Sequence, residues 1–345
     1  MTLHIGVIGT GMIGQDHIRR ITQVLSGADI IAVSDANADV AHQVAAGLKN
    51  ANERRLRSEQ INVHSAGSDL IADPNVDAVI VASWGPTHEE FVLAAIGAGK
   101  PVFCEKPLAT TESACRNIMQ AEVATGRRLV QVGFMRRYDA AYRALKKTVD
   151  DGVIGAPLLY YSGHRNPSVP SHYTKDMAIV DTAVHDFDVI RWLLGEELTS
   201  ISVLAAKPNS LGENLQDPLL MILRTQSGVL VTVETSVNIR YGYDIRGEVV
   251  GERGTAALAD RGPVLLRSGN RVGTEVPEDW RERFTAAYDT ELQEWIAAAA
   301  AGEGATGPSS WDGYAAQVVC DAGVAALYGG EQVAVQLIDK PAIYA

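Results

Sequence analysis

In VDTAVHDFDVIRWLL, residues 180–194, an aspartate and a histidine stand one helical turn apart. At roughly 100° per residue, Asp181, His185, Asp188 and Trp192 would share one narrow stripe, with Val184, Phe187, Ile190 and Leu194 facing away from it. Such a pair can move a proton: an imidazole titrates near neutrality, and a carboxylate one turn away can orient it and stabilise its cationic form. The same pattern fits a helix capped by Asp181 with His185 in solvent, since Asp is a favoured N-cap and an amphipathic helix needs a polar face. Residues elsewhere in the chain must decide between these readings.

A second constellation lies near the N-terminus. GTGMIG, Gly9 to Gly14, is a GxGxxG between the apolar run LHIGVIG and a helical stretch, with Met12 and Ile13 inside it. Glycines in that context permit a tight turn, let the backbone approach a pyrophosphate, and let the helix pack on the strand with its N-terminus toward the phosphates. Asp35 closes the next strand-like run, about twenty residues on. A carboxylate there accepts hydrogen bonds from adenosine ribose hydroxyls and repels a 2′-phosphate, which favours NAD over NADP.

A nicotinamide enzyme that oxidises an alcohol also needs a base for the hydroxyl proton and a donor for the developing oxyanion. Cys104, Cys115 and Cys320 are too dispersed to build a zinc site, so no metal is expected. Tyr142 and Lys146 in YRALK match the Tyr-x-x-x-Lys of short-chain dehydrogenases. However, no serine occurs between Ser113 and Ser162, and the pair reads better as part of a solvated helix. Lys106, in EKPLATT, directly follows the strand-like PVFCE and so falls at the carboxyl edge of a doubly wound sheet, where ligands bind. A surface lysine before a turn proline would look the same.

These residues need elements to position them. Through about residue 130, LHIGVIG, ADIIAVSD, INVH, VDAVIVAS, PVFCE and RLVQVGF read as strands with helical segments between them, the grammar of a parallel α/β sheet. THEEF supplies a capping box, with Thr87 as N-cap and Glu90 three residues on. After residue 155, ISVLAA, PLLMILRT, GVLVTVETSVNI and YDIRGEVVG follow one another as strands without crossover helices, which predicts an antiparallel sheet. Helices around 279–301 and 312–329 close the chain. The expectation is an α/β Rossmann domain over 1–130, doubly wound and parallel, followed by an α+β domain over 131–345 with a large, open, mostly antiparallel sheet.

EKP after the fifth strand, with Asp-x-x-x-His on a later helix, resembles the glucose–fructose oxidoreductase / inositol dehydrogenase / rhizopine catabolism (Gfo/Idh/MocA) family. SWGPTHE, EKPLATT, QVGFMRRYD, HRNPSV, VDTAVHDFDVIRWL, YGYDI and SSWDGYAA extend the likeness over nearly the whole chain. The resemblance implies catalytic roles for Lys106, Asp181 and His185, with His185 as base, Asp181 as its partner and Lys106 donating to the reacting oxygen. It places Gly9, Gly11, Met12, Ile13, Gly14, Asp35, Trp84, Pro86, His88, Glu105 and Lys106 around the cofactor. Met135, Arg136, Asn166, Thr182 and Tyr243 fall, with Asp181 and His185, around the substrate. For Met135 a core position fits equally well, and for His88 a solvent-facing first turn of helix does. The implied activity is NAD-dependent oxidation of a cyclitol, myo-inositol to its 2-keto product, by a tetramer built through the second-domain sheet. Scyllo-inositol or a pyranose or anhydro-sugar is an alternative substrate, and an NAD(H)-binding regulator without turnover is an alternative of another class. The polar stretch KNANERRLRSEQ, residues 49–60, is longer than the family segment it replaces.

Composition agrees with a small-molecule enzyme. A net charge of −12 over 345 residues disfavours nucleic acid and anionic lipid as partners. The one basic cluster, within residues 49–60, is diluted by acids and reads as a solvated loop or helix end. No run is long and apolar enough to span a membrane, the N-terminal run lacks the features of a signal peptide, and three scattered cysteines fit a reducing cytoplasm.

Overall fold

The computed structural model describes residues 2–51, 61–210, 215–259 and 264–345. Most of the basic stretch at 49–60 therefore lies outside the described residues. The chain divides into two compact units: Met1–Phe134 with Tyr288–Gln317 and Ile338–Ala345, and Met135–Ala287 with Val318–Leu337.

The first unit alternates strand and helix: β1 (Leu3–Ile8), α1 (Met12–Gln23), β2 (Ala28–Ser34), α2 (Ala38–Ala51), β3 (Asn62–His64), α3 (Gly67–Ala72), β4 (Ala78–Val81), α4 (His88–Gly97), β5 (Val102–Cys104), α5 (Glu112–Thr125) and β6 (Val130–Val132). The strands form one parallel sheet in the order β3-β2-β1-β4-β5-β6. Order reverses between β1 and β4, and a crevice at the carboxyl ends of such strands is where doubly wound sheets bind ligands. Ile5, Val7, Ile30, Val33, Ile80 and Phe103 are buried, as the near-continuous apolar strands of a sheet covered on both faces require.

The second unit starts with a 3-10 turn at Met135–Tyr138 and α6 (Ala140–Asp150), then β7 (Pro157–Arg165) and α7 (Val184–Leu194). Strands β8 (Leu198–Ala205), β9 (Leu219–Thr225), β10 (Leu230–Ser236), β11 (Asp244–Gly251) and β12 (Gly254–Ala257) follow, then a short hairpin, β13 (Leu266–Ser268) and β14 (Arg271–Gly273). The chain closes with α8 (Trp280–Ala300), α9 (Ser310–Gly329) and β15 (Val333–Ala334). The sheet runs β12-β11-β7-β10-β9-β8-β15 and is antiparallel except where β7 and β10 pair in parallel. Along β9, Leu219, Met221, Leu223 and Thr225 are buried while Leu220, Ile222 and Arg224 are not, the period-two signature of a sheet with one covered face.

Two features differ from expectation. The residues after 131 do not all belong to one unit, because α8 brings Leu292, Trp295 and Ile296 into the same core cluster as Ile5, Ile30 and Phe103. Thr87 does not cap α4: a 3-10 turn at Gly85–Thr87 already gives it helical backbone, and its hydroxyl pairs with Ser83 Oγ and the Trp84 carbonyl, each at 2.7 Å.

Candidate active site

In the first unit the site is made of backbone. β1 runs straight into Gly9, whose φ of +91° lies in the left-handed region that glycine tolerates best. A Cβ there would stand 2.5 Å from the Ala82 and Ser83 backbone at the end of β4. A Cβ on Gly14 would come within 2.0 Å of the Gly9 carbonyl oxygen, so the helix packs directly on the turn. Gly11 is different: its φ of −69° suits any residue, and a Cβ would meet nothing within 4 Å. The space beside Gly11 and the start of α1, which has no capping side chain, fit a pyrophosphate. Met12, at that helix start, is 62 % exposed, and Ile13 is half-buried.

Asp35 follows β2. Its Oδ2 accepts the Thr10 amide at 2.6 Å and hydroxyl at 3.0 Å, and its Oδ1 accepts the Asn37 amide at 2.9 Å. Partial burial acts to raise its pKa, but these donors outweigh it and hold the carboxyl below its usual value. A fixed anion beside the glycine turn suits ribose hydroxyls.

Trp84 and Pro86 are exposed after β4. His88 does not face solvent: it is buried, with Nδ1 2.7 Å from the Pro107 carbonyl and Nε2 3.0 Å from the Ser83 carbonyl. Burial lowers its pKa, against the two carbonyl oxygens that face its ring nitrogens from the loop after β4 and the EKP turn. Beyond β5, Glu105 is buried and accepts from His17 Nε2 of α1 at 2.7 Å and from the Lys106 amide at 3.2 Å. Lys106 itself is half-buried, and its peptide bond to Pro107 is cis.

In the second unit, the Asp181 and His185 segment is not a single α-helix. Residues Ala178–Ala183 form a π-helical segment that leads into α7, a wider turn of the sort found at functional sites. Asp181 lies within it, so it is not an N-cap. Asp181 is half-buried beside Tyr173, whose hydroxyl also meets Thr182 Oγ1 at 2.6 Å. Burial first, and the Asp181 charge after it, push the Tyr173 phenol far above its usual range.

The expected polar stripe on α7 is not solvated. His185 is 8 % exposed, while Asp186 and Asp188 are fully buried. Asp188 receives Arg137 Nε at 2.9 Å and Nη2 at 2.5 Å. Asp186 accepts Arg136 Nη1 at 2.7 Å, Ser162 Oγ at 2.7 Å and His164 Nδ1 at 2.8 Å. Arg136 is thus held in an interior ion pair. Met135 is likewise buried in the core. The His164 ring lies 6.5 Å from the His185 ring and 5.7 Å edge-on from that of Tyr243, whose hydroxyl is 3.3 Å from His164 Nε2. Asn166 follows β7, and its backbone pairs with Ser236 and Ile239.

Tyr142 and Lys146 do not form a dehydrogenase pair. Tyr142 is buried on α6, with a hydroxyl that reaches no partner, while Lys146 Nζ meets Asp150 at 3.0 Å and lies over the Trp192 ring. Sequence reasoning missed Ser162, His164 and Asp186. The histidine preceding the quoted RNP was within view, but nothing local in the sequence ties it to Asp186. Among the described residues no cluster of His, Cys, Asp and Glu could hold a metal ion, and no helix is long and apolar enough to cross a membrane.

Residues 3–134 match the model of an oxidoreductase family with an NAD-binding Rossmann fold, and residues 146–335 match the C-terminal α/β domain of the same family. The chain is 52 % identical, over all of its length and 98 % of the relative's, to inositol 2-dehydrogenase 3 of Saccharopolyspora erythraea. It is also 52 % identical to inositol 2-dehydrogenase of Serratia proteamaculans, covering 99 % of that chain. The crystal structure of myo-inositol dehydrogenase from Lactobacillus casei, in complex with NAD(H) and myo-inositol, superposes with a TM-score of 0.95 at 39 % identity, each chain fully covered. With both domains matched, the chain belongs to the Gfo/Idh/MocA family of NAD-binding oxidoreductases.

Proposed function

We propose that this protein oxidises a cyclitol, myo-inositol at its axial hydroxyl, to 2-keto-myo-inositol (scyllo-inosose). The observation that carries this reading is the end-to-end 52 % identity to inositol 2-dehydrogenase 3. When bound, NAD supplies the hydride acceptor; Gly9, Gly11, Gly14 and Asp35 would hold it. His185 takes the hydroxyl proton, and Asp181 orients the imidazole and stabilises its cation. Lys106 donates to the reacting oxygen, where negative charge develops as the proton leaves. Asn166, Thr182 and Tyr243 contribute hydroxyl contacts, amide and hydroxyl groups being suited to a ring polyol.

The test is NADH formation by the purified enzyme across the inositol isomers, glucose and related pyranoses. Highest kcat/KM with myo-inositol supports the reading. A better pyranose or scyllo-inositol substrate moves the substrate within the family, and NADH binding without turnover of any polyol would return a regulatory role.

The assembly we propose is a homotetramer through the open face of the second sheet, where Tyr161, Leu204 and Leu220 are exposed. Light scattering on the purified protein measures it. Buried free thiols at Cys104, Cys115 and Cys320 support a cytoplasmic location.

A further inference from the structure

The turn that carries Asp181 is the least regular part of its helix. The Val184 N–H reaches back five residues to the Ile179 carbonyl, a register that helices adopt rarely and mostly as single turns. Relaxation of that turn to ordinary four-residue bonding would swing Asp181 about the helix axis, relative to His185, by up to about 100°, the rotation of one residue. The turn therefore needs support from outside itself.

Packing fixes one side. Ala178 and Ile179 are buried, and Gly323 of α9 admits Ile179 so closely that a Cβ there would stand 3.0 Å from its Cγ2. Tyr173 reaches the side that bears Asp181 and Thr182. The Tyr173 amide donates to the Pro170 carbonyl at 3.0 Å, and the tight turn so formed folds the preceding segment back on the helix. There the phenol oxygen lies 2.7 Å from the Met177 carbonyl and 2.6 Å from Thr182 Oγ1, so one atom bridges the turn from its N-cap to the neighbour of Asp181. The Asp181 carboxylate is within hydrogen-bonding reach of the same phenol. Burial first, and that carboxylate's charge after it, keep the phenol protonated.

We infer that Tyr173 is a positioning residue: its hydroxyl holds the π-helical turn in the register that presents Asp181 to His185, and so acts on the proton transfer through Asp181. This rests on the reading of Asp181 as the partner of the His185 base.

The test is single-turnover NADH formation from the best polyol substrate, with NAD saturating. Tyr173→Phe keeps the ring and removes the one oxygen. Its rate should fall by about tenfold or more, because a small displacement of a catalytic group is costly. NADH affinity should stay within about twofold, since the loss lies in the chemical step. Tyr328→Phe is the control: it removes a phenol bonded to Asp176 Oδ1 at 2.9 Å, just before the turn, and its rate should stay within about twofold.

A general loosening of the fold would slow every background alike, so Tyr173→Phe is repeated in Asp181→Ala and in Thr182→Ala. With no carboxylate left to position, it should cost Asp181→Ala less than about twofold, while it should still slow Thr182→Ala. If Tyr173→Phe does not fold, Tyr173→Gln takes its place in the same two backgrounds.

A wild-type rate in Tyr173→Phe would overturn the inference. So would an undiminished loss in Asp181→Ala, or an effect that vanishes in Thr182→Ala and so belongs to that residue instead. An enzyme that oxidises no polyol, or an Asp181→Ala variant as fast as the wild type, overturns the functional reading and this inference together. A slow Asp181→Ala beside a fast Tyr173→Phe overturns the inference alone.

Discussion

The cofactor turn of the first unit and the ionic cluster of the second are made of different materials. Around Gly9 and Gly14 the chemistry is backbone, and specificity comes from the absence of side chains where a Cβ would stand 2.5 Å or less from a neighbouring main chain. Around Asp186 it is buried charge: a carboxylate, a guanidinium and an imidazole removed from water and dependent on one another. A backbone site tolerates loss of a polar group but not added volume. An ionic site tolerates neither an added nor a missing charge, since a buried ion without its partner costs several kcal/mol.

The sharpest way to test that contrast is Asp186→Asn, which leaves Arg136 buried without its counter-charge. Unfolding free energy should fall by about 3–5 kcal/mol, read by denaturant titration. The same group predicts an acid limb. Its folded pKa is held far below the usual carboxylate range, so its stabilisation is fully present above the ordinary value and is lost as pH falls below that value toward the folded pKa. The wild-type thermal midpoint should drop through that range more steeply than that of Asp186→Asn.

Lys106→Ala should lower kcat by about a hundredfold or more, the usual cost of one transition-state donor, with thermal stability nearly unchanged because the side chain is only half-buried. Stopped-flow NADH formation separates the two effects. A comparable loss of stability would place Lys106 with the structural charges instead.

Gly11→Ala is the corresponding probe of the backbone site. With φ at −69° and no atom within 4 Å of the new Cβ, the fold should be unaffected to within about 0.5 kcal/mol. NADH affinity, measured by fluorescence titration, should weaken by about tenfold or more as the methyl group occupies the cofactor's side of the turn. Unchanged affinity would mean that the open space is not the pyrophosphate site.

Smallest of all should be Tyr142→Phe. Its phenol is buried without a hydrogen-bond partner and its pKa is pushed up to about 12, chiefly by burial. Removing the hydroxyl should leave kcat within about twofold and stability within about 1 kcal/mol. A large loss of kcat would restore Tyr142 and Lys146 as a catalytic pair.

The same contrast explains what could be read from the sequence. The glycine turn, Asp35 and the six parallel strands are local patterns, and each strand stands where an apolar run stands. α7 was legible as a helix, but its solvated stripe was not: an Asp at 186 or 188 looks like surface until Arg136 and Arg137, some fifty positions earlier in the chain, are brought against it. β7 went unread because PLLYYSGHR does not alternate: Ser162 and His164 are polar yet buried, while Leu158 and Tyr161 are exposed. That strand carries both Ser162 and His164, so missing it hid the network. The π-helical segment at Ala178–Ala183 has no sequence signature, and a uniform rotation of roughly 100° per residue fails across it.

The return of α8 to the first unit has a consequence for how the molecule is made. Residues emerging from a ribosome up to Phe134 contain every strand of the parallel sheet, yet they lack Leu292, Trp295 and Ile296, which fill its core. Nearly half the chain must still be synthesised before those side chains arrive. A nascent or proteolytically clipped fragment ending near residue 134 would present an unfilled apolar surface where the indole of Trp295 belongs, and such surfaces aggregate or recruit chaperones. The nucleotide-binding unit is contiguous as a sequence motif but not as a folding unit, and it cannot be cut out or grafted elsewhere at its apparent boundary.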